Sequence, residues 1–142
     1  MTNFIQNTGG CFYHNGKPFR FIGTNVYELA NLQKDVTQAV IDDAVRVGFK
    51  VLRFWLFKNR ETGSLISKLN DICYMVQPHG IKLIVSLADK WGYLQNYKID
   101  ELWYNSGYKN EYLKYAKDVT AACRERDEIM IWELINEPET DS

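Results

Sequence analysis

Lys50-Val51-Leu52-Arg53-Phe54-Trp55-Leu56 and Ile81-Lys82-Leu83-Ile84-Val85-Ser86-Leu87 are two short runs dense in branched and large apolar residues. The segment joining them decides the fold. There Leu65, Leu69, Ile72 and Val76 recur at helical spacing, which predicts a helix over about 64–77. It stops at Pro78-His79-Gly80, because proline cannot continue the backbone ladder. Strand, helix and strand in that order predict a right-handed crossover and a parallel sheet.

The same grammar extends in both directions. Upstream, Val36, Val40, Ala44 and Val47 predict a helix over about 37–47, with Gly48 as its left-handed cap. The strand before it, near 19–25, ends at Gly23-Thr24-Asn25, and a hairpin over 11–22 turns at Asn15-Gly16, a pair that supplies positive φ angles. Downstream, Tyr112, Ala116, Val119 and Cys123 predict a helix over about 110–124, followed by a strand near 129–135 that runs into Asn136-Glu137-Pro138. The count is four strands, near 19–25, 50–56, 81–87 and 129–135, with three intervening helices in one domain over 1–142. An eight-stranded βα barrel usually takes ~250 residues. The expectation is therefore either half of such a barrel or a small four-stranded sheet that covers itself in another way.

Composition narrows the function classes. The 142 residues hold 17 Lys+Arg against 18 Asp+Glu, a formal charge of −1, which argues against a broad nucleic-acid-binding surface. No apolar run approaches the ~18–20 residues of a membrane span. The opening MTNFIQNTGG lacks the basic and apolar regions of a secretory signal, so localisation stays open, secreted if a signal was removed. Cys11, Cys73 and Cys123 are odd in number and without metal-binding spacing, and Cys73 and Cys123 fall on apolar helical stretches as small buried hydrophobes. His14 and His79 sit beside turn glycines and read as solvated loop residues.

In parallel βα folds, functional groups gather at the carboxyl ends of the strands. The candidates there are Asn25, Arg53, Trp55, Asp89, Trp91, Asn136 and Glu137. Alternation places Leu52, Phe54 and Leu56 against the helices, and Val51, Arg53 and Trp55 on the opposite, inner face. Leu83, Val85 and Leu87 likewise suit the helix side, leaving Ile84 and Ser86 inward.

WELINEP (Trp132 to Pro138), following a helix and an apolar strand, resembles the acid/base strand of the retaining glycoside hydrolases built on the βα barrel. NGKPFRFIGTNVYEL (Asn15 to Leu29), VLRFWLF (Val51 to Phe57) and HGIKLIVSLADKW (His79 to Trp91) resemble, in order and spacing, the first three strands of glycoside hydrolase family 5, above all its β-mannanase-like members. The resemblance covers essentially the whole chain. It implies an α/β fold that is the N-terminal half of a (β/α)8 TIM barrel, with four parallel strands, three helices and an N-terminal hairpin. It implies retaining hydrolysis of a β-1,4-linked polysaccharide of mannan or cellulose type, with no cofactor and no metal.

Position by position, the resemblance makes Glu137 the general acid/base. Asn136 becomes the neighbour that hydrogen-bonds the sugar 2-hydroxyl. Arg53 becomes the arginine that orients the nucleophile carboxylate, and Trp55 and Trp91 become aromatic subsite residues. Asn25 sits at a motif match without a defined role. The clan's nucleophile stands at the end of strand seven, and nothing in this chain matches it. Retaining cleavage needs two carboxyl groups ~5–5.5 Å apart, so this chain alone is expected to be inactive or nearly so.

Simpler roles compete. Arg53 is also placed to be a structural ion-pair partner of Glu133, and Trp55 to be core. Asp89 departs from the asparagine-like residue of the pattern and is left unassigned. The stretch with Tyr93, Tyr97, Trp103, Tyr104 and Tyr108 is either a substrate-side loop or a satellite cluster. The rival to an enzyme half is a non-catalytic carbohydrate-binding or scaffold half-barrel. The open edges of strands one and four predict self-association, or pairing with a complementary C-terminal half.

Overall fold

The computed structural model describes residues 3–57, 59–92, 94, 95 and 97–139. Strands β4 (Gly23–Asn25), β5 (Val51–Trp55), β6 (Lys82–Ser86) and β7 (Ile129–Glu133) form one parallel sheet in the order β4-β5-β6-β7. Helices α1 (Lys34–Arg46), α2 (Thr62–Val76) and α4 (Tyr112–Ala122) make the three crossovers, and a short α3 (Glu101–Asn105) lies inside the last of them. This is the four-stranded parallel sheet that the alternating pattern predicts, with one helix more than the periodicity shows.

The core lies between the sheet and the helices. Leu52, Phe54, Leu56, Leu83, Val85 and Leu87 are fully buried there against Leu65, Leu69, Ile72 and Val76 of α2. Tyr115 of α4 donates its hydroxyl to the Leu56 carbonyl, tying that helix to the end of β5. The buried thiols of Cys73 and Cys123 belong to the same core, whereas Cys11 is exposed. Desolvation pushes the Cys73 thiol up to about 12. Thiol labelling at pH 8 is therefore expected to modify Cys11 in the native protein. Cys73 and Cys123 should react at least about 100-fold more slowly until denaturant is added, since the thiolate is the reactive form. Three equally fast cysteines would contradict this packing.

The first helix departs from expectation. Its buried positions are Thr37, Ile41 and Ala44, while Val36 and Val47 are exposed. Thr37 is tolerated inside because its hydroxyl donates to the Gln33 carbonyl (2.9 Å), and Lys68 Nζ reaches its oxygen (3.2 Å). The amino-terminal region also differs. It is a three-stranded antiparallel sheet of β1 (Gln6–Thr8), β2 (Cys11–His14) and β3 (Lys17–Pro18). The expected turn is present, with Asn15 at φ 51° and Gly16 at φ 75°. Phe19 N still donates to Phe12 O (2.7 Å), after which the segment leaves the ladder, and Phe21 packs on Phe19 and Phe12 at 5.5 and 6.1 Å between centroids. Asn3 Nδ2 donates to Asp127 Oδ2 (2.6 Å), the same carboxylate oxygen that pairs with the buried Lys82 (2.9 Å) at the amino end of β6.

Gly23 is where β4 passes closest to its neighbour. A Cβ there would stand 2.5 Å from the Val51 carbonyl oxygen and 3.0 Å from the Val51 Cβ. Backbone cannot yield as a flexible side chain can, so Gly23→Ala is expected to cost about 1–3 kcal/mol, read from the urea midpoint. An unchanged midpoint would show that β4 is free to shift.

Candidate active site

The carboxyl ends of β4–β7 converge on one network of polar side chains. Arg53 projects from β5 into the concave side of the sheet, opposite the core-facing Leu52 and Phe54. Its Nε donates to Glu133 Oε2 (3.0 Å), and its Nη2 donates to Glu133 Oε1 (2.8 Å) and Oε2 (2.7 Å). The same Nη2 donates to Asn136 Oδ1 (2.7 Å). Beneath the guanidinium lies Trp55, whose ring centroid is 4.1 Å from Arg53 Cζ and 4.8 Å from the Tyr27 ring. Trp55 is 5% exposed and floors the site rather than presenting a face to solvent. Arg53 thus holds the ion pair with Glu133 that the sequence allowed as an alternative.

Asn136 reaches this point because β7 does not end cleanly. After Glu133 the ladder is interrupted at Leu134, which is 64% exposed and whose carbonyl accepts from Tyr112 Oη (2.7 Å). Pairing with the β6 extension then resumes. Asn136 N donates to Ala88 O (2.8 Å), Lys90 N donates to Asn136 O (3.2 Å), and Asn136 stands opposite Asp89. The Asn136 amide Nδ2 donates to Asp89 Oδ1 (2.9 Å), and Tyr27 Oη donates to Asp89 Oδ2 (3.0 Å).

Glu137 follows at φ 49°, a left-handed conformation that costs a non-glycine residue about 1–2 kcal/mol. It turns the exposed carboxylate at the strand tip, where Glu137 Oε2 accepts from Trp91 Nε1 (2.5 Å). Trp91 is 67% exposed, an aromatic surface standing beside the carboxylate. Lys90, next to it, pairs with Glu139 (2.7 Å). Asn25 is exposed at the end of β4, opposite Arg53 in register, and shares a shallow concavity with Phe21, Gly23, Val51 and Ile84.

The structure therefore brings Arg53, Trp55, Asn136, Trp91 and Glu137 to one rim, with Asn25 on its margin. Asp89 and Tyr27 complete the network and went unassigned in the sequence. The signal for Asp89 was its place one strand over from Asn136, in the same cross-strand register that pairs Ser86 with Glu133. Trp103 packs amid Tyr97, Tyr104, Tyr108 and Tyr112, with centroids 5.1–6.4 Å apart among these rings, as a satellite cluster over α4. Tyr93 lies outside the described residues. Among the described residues, no group of three or more His, Cys, Asp or Glu side chains is placed to hold a metal ion.

Comparison with known proteins finds relatives over nearly the whole chain. The chain is 29% identical, over 96% of its length, to mannan endo-1,4-beta-mannosidase F of Aspergillus clavatus, and 27% identical, over 98%, to mannan endo-1,4-beta-mannosidase 1 of rice, Oryza sativa. Among solved structures, an endo-1,4-beta-mannanase from Rhizomucor miehei matches with a TM-score of 0.75 at 21% identity over 97% of this chain. The chain has the fold of a partial βα barrel and is similar to these mannanases. A second structure, the endo-1,4-beta-D-mannanase of Thermotoga petrophila, matches with a TM-score of 0.69 at 26% identity over 84%. These findings agree with the family 5 resemblance carried by the four strand-end motifs. The mannanase-like chain spans 39% and 41% of the two named relatives and 50% and 46% of the two structures. No family model matches it.

Proposed function

We propose that this chain supplies the acid/base half of a retaining β-1,4-mannan hydrolase site. The observation that carries the reading is the placement of Glu137 at the tip of the fourth parallel strand, directly after an Asn136 whose amide is bonded to Arg53 and Asp89. In this reading Glu137 gives its proton to the leaving glycosidic oxygen, and later takes one from the attacking water. The remaining amide hydrogen of Asn136 meets the sugar 2-hydroxyl, and Trp91 offers its ring face to the C–H face of a sugar. Arg53 extends toward the position of the nucleophile carboxylate, which the clan carries on strand seven. Mannan is favoured over cellulose because the named relatives are mannan endo-1,4-beta-mannosidases.

The test is reducing-sugar release from mannan by the 142-residue chain alone, and after mixing with the complementary half of a related mannanase. Release by the mixture alone is expected. Release by the isolated chain would mean that another carboxylate serves as nucleophile. Binding of mannan oligosaccharide without turnover in either case would favour a carbohydrate-binding half-barrel.

One observation favours self-association of the isolated chain. Ile22 is 73% and Phe21 36% exposed beside the concave face, and β4 and β7 are the outer strands of the parallel sheet. Sedimentation is expected to show species larger than 16.6 kDa, and a clean monomer at micromolar concentration would contradict it.

A further inference from the structure

Asp89 is a buried carboxylate, 2% exposed, that the mannan reading leaves without a role. Its backbone is clamped by Gln95, whose Oε1 accepts from Asp89 N (3.1 Å) and whose Nε2 donates to Asp89 O (2.8 Å). Its side chain accepts from the Asn136 amide and the Tyr27 hydroxyl. On the other side of that amide stands Arg53, so hydrogen bonds run unbroken from Glu133 through Arg53, Asn136 and Asp89 to Tyr27.

The chemistry of the two flanking groups fixes the amide between them. A guanidinium only donates, so it must face the Asn136 oxygen; an ionised carboxylate only accepts, so it must face the Asn136 nitrogen. A flipped amide would set donor against donor on one side and acceptor against acceptor on the other, each a lost charge-assisted bond. Arg53 alone would bias the flip but leave both amide hydrogens uncommitted. Asp89 takes one of the two, leaving a single hydrogen in a single direction.

We propose that Asp89 is a positioning residue that holds the Asn136 amide so that one chosen N–H is presented to a saccharide hydroxyl beside Glu137. The proposal rests on the mannan reading and adds to it the device that sets donor direction. Asparagine at position 89 can serve in part, since its oxygen accepts from Asn136 while Tyr27 turns its hydroxyl to accept from the new amide. A side chain without an acceptor cannot.

The test is nuclear magnetic resonance of the 142-residue chain, following the Asn136 side-chain amide with and without mannotetraose. In the wild type, one amide hydrogen is expected to be shifted downfield and protected from exchange, and the other to move on adding mannotetraose. Asp89→Asn keeps this signature. Asp89→Ala collapses it and weakens mannotetraose binding about 5- to 10-fold, equivalent to about 1–1.4 kcal/mol. A wild-type amide with two equivalent, unprotected hydrogens overturns the proposal without any variant, so a failure of Asp89→Ala to fold does not shelter it. Unchanged Asn136 resonances and affinity in a folded Asp89→Ala also overturn it. A wild type that keeps the signature but does not respond to mannotetraose overturns the saccharide reading instead, and with it the purpose assigned to the fixed hydrogen.

Discussion

Replacing Arg53 with methionine is expected to destabilise the protein by about 2–3 kcal/mol, a little below the 3–5 kcal/mol typical of stranding one partner of a fully buried ion pair. The side chains of Arg53 and Glu133 are 21% and 28% exposed, so water screens the pair only in part. The two-pronged charge-assisted pairing with Glu133 and the bond to Asn136 disappear together, and the carboxylate stays behind without its cation. With a urea m-value of about 2 kcal/mol/M, the midpoint should fall by about 1–1.5 M. Replacing Glu133 with leucine in the same chain should restore most of the loss, because two apolar side chains need no partner. A single variant within about 0.5 kcal/mol of wild type would show that the pair behaves as a surface salt bridge.

The second large effect is on chemistry. In the mixture with a complementary mannanase half, Glu137→Gln is expected to lower the rate of mannan cleavage by about 10²–10⁴, the usual contribution of a positioned general acid. Glutamine keeps the shape and can still accept from Trp91 Nε1, but it has no proton to give. Because Glu137 is exposed and packs into no core, its replacement should leave the urea midpoint within about 0.5 kcal/mol of wild type. Loss of rate without loss of stability separates a chemical role from a structural one. Wild-type rates in the variant mixture would remove Glu137 from the mechanism.

The fold was legible where one periodicity ruled. In α2 all four predicted stripe residues are buried, and in β5 and β6 strict alternation sends leucine, phenylalanine and valine to the helices and Arg53 inward. It was less legible where tertiary context decides. β4 has three residues and only one neighbour, too little for any pattern, and its glycine is set by close approach to Val51. In α1, a threonine that satisfies its own hydroxyl displaced two valines from the inner face. The candidate site followed the same rule. Glu137, Asn136 and Arg53 carry recognisable motifs, whereas the partnership of Asp89 with Asn136 depends on the cross-strand register of β6 and β7, which shifts between Leu83 and Ile84 and which no local pattern announces.

Retaining cleavage requires Glu137 to work opposite a second carboxylate close enough to attack the sugar directly. The stereochemistry of the first product tests this most directly, read by proton magnetic resonance during the opening minutes of mannotetraose cleavage by the reconstituted mixture. Retention predicts that the β-anomer appears first and mutarotates afterwards. An initial α-anomer would require a water between carboxyl groups ~6.5–9.5 Å apart, and would contradict the retaining site built here around Glu137.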